Sequence, residues 1–509
     1  MLKKIIYILI ILFVSLSCES WLDVNKNPNA PGDVSYEELL PAGISSVAYV
    51  VGGRYQVLGA LWSQHWTQSP GASQYAGIDS YDINSSTYDQ NQFSELYAGA
   101  LKNLELVRVQ SLANEEYNYY LIATVVQSYA YQVLADLYDQ IPFSEALKGD
   151  QGLTEPMYEL GPSIYDSLIT RIDFALSLDL NKEGLKNPEE RDLVFNGEIT
   201  RWIEFANTLK LRIFLRQSEV NHSKVQQAVQ DLYNAGAAFL ETDAALDIYT
   251  DASGRRNPLF DTDFFTLGRN PNLILSHTLY SFMIENADFD RLSNLFNTPE
   301  AGGEHKALIQ GNYYAPEESP GTNSSSYSKP IMDPTAPVYL MSLAESNLLQ
   351  AEAIMRYRAE DFNQAKELYD GAIASAFLRV IKPSGSFGTA EILNLASTFY
   401  GGVYAFPSEG GKLDDFIKSI AYQKWLALSG IQNLELFFEL NRTGYPVKSS
   451  VPGDDPNYVP GELTLSVNNV TSGRFPRRLI FPESEYANNR NTPEKQPVWQ
   501  KVWWDVSEN

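Results

Sequence analysis

The stretch Asp361-Phe-Asn-Gln-Ala365-Lys-Glu-Leu-Tyr369-Asp-Gly-Ala372-Ile373 decides the fold of this chain. Phe362, Ala365, Tyr369, Ala372 and Ala376 recur at steps of three and four, the spacing of one apolar helix face. Just before it, Leu340, Ala344, Leu348, Ala351 and Met355 draw a second stripe. That helix ends near Tyr357, and a short polar turn joins the two. Working outward, Ile122, Val126, Tyr129, Val133 and Leu137 repeat the pattern, as do Trp202, Ala206, Leu209 and Ile213. Phe416, Ile420, Ala427, Ile431, Leu434 and Phe438 make another stripe.

Small alanines at the helix crossings, with an aromatic between them, resemble the second helix of a tetratricopeptide repeat. The rest of the chain lacks a clean period of roughly 34 residues. The expected fold is therefore mostly α: tetratricopeptide-like helix pairs forming an α-α superhelical scaffold, with long irregular loops inserted. The insertions fall at about 63–91, 250–337 and 451–476. The first is polar and aromatic, with Trp66, Tyr75, Tyr81 and Tyr88; the second carries Tyr313, Tyr314 and Tyr327 among glycines, prolines and serines. Loops this long are functional or disordered, and rings spaced along a polar loop favour function.

Composition narrows the classes of function. The 509 residues are 44% hydrophobic, enough for a sizeable core. With 63 acidic against 38 basic side chains the net charge is −25, which argues against nucleic acid and against electrostatic adhesion to acidic lipid. Any membrane link must be made another way.

The N-terminus offers one. Lys3 and Lys4 precede a run from Ile5 to Leu16 that is apolar apart from Ser15. The run fits the apolar part of a signal peptide and is too short to cross a bilayer, which takes about 20 residues. Cys18, the sole cysteine, follows directly and can form no intramolecular disulfide. Two readings compete for it. One is a chance thiol near an ordinary cleavage site. The other is a lipobox, Ser15-Leu16-Ser17-Cys18, with serine where leucine is usual and the cysteine acylated. On the second, residues 1–17 are a lipoprotein signal peptide and 18–509 the mature binding domain. Each buried CH₂ of an acyl chain contributes about 0.8 kcal/mol, so several chains tether a protein without a transmembrane helix.

Catalysis finds little support. His65, His222, His277 and His305 lie far apart, without metal-ligand spacing. Gly410-Gly-Lys412 lacks the upstream glycine of a phosphate loop and is followed by Leu413, where Ser or Thr belongs. Asp23-Val-Asn25-Lys-Asn27 copies half a calcium loop, but Pro28 replaces the glycine and Val34 the bidentate glutamate. An extended tether fits it better. Glu345 and Glu352 share a helix face about 10.5 Å apart, too far for a glycosidase pair. Glu352 and Arg356 instead form a well-oriented i,i+4 ion pair. No enzyme, cofactor or metal is expected.

Several segments together resemble the SusD/RagB family of Bacteroidetes outer-membrane lipoproteins, in its branch with a tetratricopeptide scaffold. They are Cys18-Glu-Ser-Trp-Leu-Asp-Val-Asn-Lys-Asn-Pro-Asn29, Gly161-Pro-Ser-Ile-Tyr165 and Arg201-Trp-Ile-Glu-Phe-Ala-Asn-Thr-Leu-Lys-Leu-Arg212. Ala344-Glu-Ser-Asn-Leu-Leu-Gln-Ala-Glu-Ala353, Gln423-Lys-Trp-Leu-Ala427, Asn441-Arg-Thr-Gly-Tyr-Pro446 and Pro476-Arg-Arg-Leu-Ile-Phe-Pro-Glu-Ser-Glu485 follow in order. In that family these are scaffold pieces, so Arg442, Arg477 and Arg478 are expected in structural ion pairs.

The resemblance implies a cell-surface lipoprotein of the outer membrane that captures a nutrient, an oligosaccharide first. It implies a SusC-like TonB-dependent transporter as the partner that receives it. Sugars present apolar C–H faces ringed by hydroxyls, so their sites need flat aromatics and a few amides or charges. Family practice places the binding surface in the segments Trp62–Tyr88 and Thr250–Tyr327. Trp66, Tyr75, Tyr81, Tyr313 and Tyr314 are the expected platforms, with Asn84, Arg269 and Asn312 as polar partners. The i,i+4 spacing of Trp62 and Trp66 fits a core face as well. Two further functions remain open: capture of peptides or other non-glycan nutrients, and a helical adaptor with no small ligand.

Overall fold

The computed structural model describes residues 34–85, 90–266, 272–314, 324–384 and 387–507. Cys18 with its signal segment, Tyr88 and Arg269 lie outside these residues. The longer helices are α1 (Tyr36–Gly52), α2 (Arg54–Trp62), α3 (Lys102–Ala113), α4 (Tyr117–Tyr138), α5 (Gly161–Ser177) and α6 (Ile199–Arg216). They continue with α7 (His222–Asn234), α8 (His277–Glu285), α9 (Leu343–Tyr357), α10 (Phe362–Val380), α11 (Thr389–Tyr400), α12 (Leu413–Ala427) and α13 (Asn433–Thr443). Three short antiparallel ribbons join distant segments. They pair β1 (Trp66–Gln68) with β5 (Leu273–Leu275), β2 (Gln140–Pro142) with β3 (Tyr158–Leu160), and β4 (Ala244–Leu246) with β6 (Val338–Met341). The fold is mostly α and is built from stacked helix pairs, as the stripes indicate.

The deciding pair is α9 on α10, the most extensive helix contact of the fold. Its stripe buries Ala344, Leu348, Ala351, Ala365, Tyr369, Ala372 and Ala376. Leu340 opens the stripe from β6 rather than from the helix. Ser342 caps α9, its hydroxyl accepting from the Glu345 amide at 3.2 Å. The Ser-x-x-Glu spacing is that of a reciprocal cap. Here the Glu345 carboxylate turns inward instead, to Arg212 at 3.3 Å and to the Gln432 amide.

The stripe from Phe416 to Phe438 belongs to two helices, not one. Gly430, at φ +80°, breaks it between Ala427 and Asn433, yet the apolar phase survives the turn. Gly59 shows why α2 can lie on α13: a Cβ there would sit 2.2 Å from the Asn433 carbonyl carbon. Close backbone approach of this kind needs glycine.

A buried ionic network crosses this scaffold. Arg216 meets Asp136 at 3.1 Å, Glu439 at 2.6 Å and also Glu435. Arg442 holds Glu352 and Glu439, each at 2.7 Å, and Lys424 reaches Glu439 at 2.9 Å. Glu352 also takes Arg356 at 2.7 Å, the pair expected from their spacing. Burial alone would raise Glu352, but Arg442 and Arg356 hold its carboxyl down to about 2. Arg477 pairs with Asp505 at 2.9 Å and Arg478 with Asp139 at 3.7 Å. The C-terminal segment that carries them packs on α4, where the Leu479 amide donates to the Leu137 carbonyl. Among the described residues, no helix is long and apolar enough to cross a membrane.

Candidate functional site

The loop segments are held by a knot around one carboxylate. Asp79 is fully buried, and its Oδ2 accepts from the Thr67 hydroxyl at 2.7 Å and the Gln68 amide at 2.8 Å. Gln310 Nε2 donates to Oδ1. The Gly311 amide donates to Thr67 Oγ1 at 3.1 Å, so the chain at 310–314 is seated on β1. Burial pushes the Asp79 carboxyl up to about 6, and these three hydrogen bonds offset only part of that.

A third segment closes the knot. The Val467 amide donates to the Gln310 carbonyl at 2.9 Å, and Asn468 Nδ2 donates to the Gly311 carbonyl at 2.6 Å. Gly311 has φ +77°, and a Cβ there would fall 1.9 Å from Ser466 Oγ. Nothing but glycine fits that turn. Gln64 ties the same segments, its Oε1 accepting from Thr278 Oγ1 at 2.6 Å and from the Thr464 amide at 3.0 Å.

This knot sorts the expected residues. Trp66, Tyr75 and Tyr81 are buried to 3%, 1% and 2% exposure, so their rings offer no open face. They fill space that helix side chains fill elsewhere, because loop backbone needs large rings to complete a core. Tyr81 Oη accepts from the Ser466 amide at 3.2 Å, which is scaffold work. Tyr313 is also buried and donates to the Ala76 carbonyl at 3.2 Å. Tyr314 is different: 71% exposed, with its ring 4.6 Å from that of Tyr313 at 62°. Asn312 is half-buried and Asn84 exposed. The knot therefore brings Asn312, Tyr313 and Tyr314 together and mounts one free ring on a buried one. Val467 and Val470, both exposed and both on the closing segment, add apolar surface.

His65 is part of the support. Its Nε2 donates to the Trp425 carbonyl at 2.8 Å while Nδ1 accepts from Ser63 at 2.8 Å. Burial lowers its pKa to about 4, so the ring is neutral. Among the described residues, no group of three or more His, Cys, Asp or Glu could hold a metal ion.

β1 has a second side. Thr67 faces the knot, whereas Trp66 lines a cleft of about 440 Å³. Successive strand residues point to opposite faces, so one ribbon serves both. The cleft is walled by Gln56 of α2, the segments Asn257–Phe260 and Pro330–Tyr339, and Arg379 near the end of α10.

The profile of a family described as starch-binding and associating with the outer membrane, SusD-like_2, matches residues 28–463. The chain belongs to the SusD-like family. Solved structures agree on the fold. A SusD homolog from Bacteroides uniformis superposes with a TM-score of 0.69 at 20% identity, covering 92% of this chain and 99% of that one. A SusD/RagB family protein from Bacteroides thetaiotaomicron gives 0.68 at 21% identity, covering 94% and 100%. A chitin-binding protein gives 0.67 at 21% identity, covering 92% and 100%. No curated protein sequence matches this SusD-like chain.

The sequence did not point to Asp79, Gln310, Gly311 or Asn468 as the mount, nor to Gln56 and Arg379 in the cleft. One signal was available: Gly311-Asn-Tyr-Tyr314 sets a turn residue directly before two rings.

Proposed function

We propose that this SusD-like protein is a non-enzymatic capture lipoprotein, anchored by an acylated Cys18 at the outer-membrane surface. It holds an oligosaccharide and passes it to a SusC-like TonB-dependent transporter. Residues 18–509 act as one binding unit on this reading. The observation that carries it is Tyr314, an exposed ring braced edge-on by buried Tyr313 on a hydrogen-bonded knot. A ring so mounted offers a flat apolar face without a large ordering cost, which suits stacking on sugar C–H faces. Asn312 beside it and Asn84 supply amides, and Arg269, outside the described residues, is proposed as a further polar partner. Chitin oligosaccharides head the panel of candidate ligands, since a protein of this fold bears that name.

The test is calorimetric titration of the purified protein against neutral oligosaccharides and short peptides. Saccharide binding should weaken tenfold or more in Tyr314→Ala, a loss of about 1.4 kcal/mol. Unchanged saccharide affinity in that variant, or binding of peptides alone, would overturn the reading.

A further inference from the structure

The cleft on the other side of β1 holds an arginine without a countercharge. Buried arginines of this chain face carboxylates: Arg212 meets Glu345, Arg291 meets Asp288, Arg442 meets Glu352 and Glu439. Arg379 does not. Among the described residues, no carboxylate oxygen lies within 4.0 Å of its guanidinium. Its one hydrogen bond runs from Nη2 to the Ala427 carbonyl at the end of α12. A guanidinium carries five N–H donors in a planar fork, and the negative end of a helix satisfies one of them here. The rest of the fork belongs to the cleft wall. Burial lowers its pKa, with Tyr339 and Asp243 opposing.

A second group on the same wall has the same need. Gln56 is 3% exposed, and its Oε1 accepts from the Asn433 amide at 3.0 Å. Its Nε2 is buried without any hydrogen-bond partner. An unmatched buried donor costs about 1–3 kcal/mol, so Gln56 Nε2 beside a part-exposed Arg379 that has no carboxylate partner marks a wall that awaits acceptors. The carboxylates nearby do not fill the role. Asp333 already accepts from the Thr335 amide at 2.8 Å and hydroxyl at 2.7 Å, and Asp247 is exposed. Lys382, 81% exposed, stands at the rim only 4.0 Å from Asp333.

We propose that this cleft binds a saccharide bearing a carboxylate, a uronic-acid unit, with Arg379 taking the carboxylate and Gln56 a ring or carboxyl oxygen. Planar, two-point recognition of carboxylate is what a guanidinium does best. Ile331, which is exposed, and Tyr339 supply apolar wall for the sugar ring. The volume of about 440 Å³ lies in the small-molecule range and holds one or two sugar units. The inference rests on the capture reading only in taking the ligand to be a saccharide. Its site and its chemistry are separate from Tyr314.

The experiment compares di- and trigalacturonate with their methyl esters, which keep the shape and remove the charge. Wild-type protein should bind the acids at least tenfold more tightly than the esters. Arg379→Gln should erase that preference while Arg379→Lys keeps part of it, with thermal melting confirming that each variant is folded. Tyr314→Ala should leave the preference intact. Equal binding of acid and ester by the wild type, or a preference that survives Arg379→Gln, overturns the inference alone. Absence of all saccharide binding overturns the capture reading as well. A free-carboxylate tripeptide that binds through Arg379, with no galacturonate bound, overturns the saccharide assignment.

Discussion

The helix scaffold and the loop knot both bury carboxylates, and they solve the problem in opposite ways. In the scaffold, Glu352 and Glu439 face arginine and lysine, which hold both carboxyls below the usual range against the pull of burial. In the knot, Asp79 faces a hydroxyl, a backbone amide and a glutamine, all neutral. Burial therefore wins there and the carboxyl rises. Full charges across α4, α6, α9, α12 and α13 fix how the helices stack, since each cation is shared between elements. Neutral donors are directional but weaker, which suits a mount for loop backbone. The scaffold is not uniform: burial also lifts Asp136 to about 6 and raises Glu345, despite Arg216 and Arg212.

The largest effect should come from breaking the scaffold network. Arg216→Met leaves Asp136 and Glu435 buried with less positive charge and should destabilise the protein by about 3–5 kcal/mol. Denaturant unfolding measures it directly; a loss under about 1 kcal/mol would mean that packing alone fixes the stack.

Next is the knot. Asp79→Asn replaces one acceptor oxygen with a donor facing other donors, a cost of about 1–3 kcal/mol at neutral pH. The pH dependence sharpens the contrast. Asp79 is raised in the folded state, so its contribution is full below the ordinary aspartate value and is lost as pH climbs through about 6. The wild type should thus gain on Asp79→Asn as pH falls from 7 towards 4. Glu352 runs the other way. Its folded value is depressed, so its contribution is present above the ordinary glutamate range and is lost as pH falls towards about 2. In unfolding free energy, the gap between the wild type and Asp79→Asn should therefore widen as pH falls from 7 towards 4. The gap between the wild type and Glu352→Gln should hold to the ordinary glutamate range and shrink from there towards about 2.

The same contrast explains what could be read from the sequence. Helix stripes such as Leu348-Ala351-Met355 are local, repeating every three or four residues, so the scaffold follows from pattern alone, while the family came from the resemblance of segments such as Ala344–Ala353. The break at Gly430 was hidden because the apolar phase runs on across it. The knot is the reverse case. Ser63 to Ser69 looks like surface, yet Gln64, His65, Thr67 and Gln68 are all buried. Their partners lie hundreds of residues away: Gln64 bonds Thr464, and Asp79 bonds Gln310. No periodicity announces such a partner, and so Trp66, Tyr75 and Tyr81 read as open platforms while they serve as core. Tyr314 was named on the same grounds, and only its position beyond the turn at Gly311 sets it apart.

The smallest expected effect on stability is therefore the most informative about the loop surface. Tyr314→Ala removes a ring that is 71% exposed and touches the knot chiefly through Tyr313. Edge-to-face pairs contribute about 0.5–1.5 kcal/mol when buried, and water on the outer face takes most of that away. The change in unfolding free energy should stay within about 0.5 kcal/mol, while the amide exchange of Gly311 and Asn312 stays protected as in the wild type. A loss of several kcal/mol, or early exchange at those amides, would show that Tyr314 holds the turn in place. It would then belong with Trp66 and Tyr81 as scaffold, and the free ring that the proposed capture requires would have to be sought elsewhere on the surface.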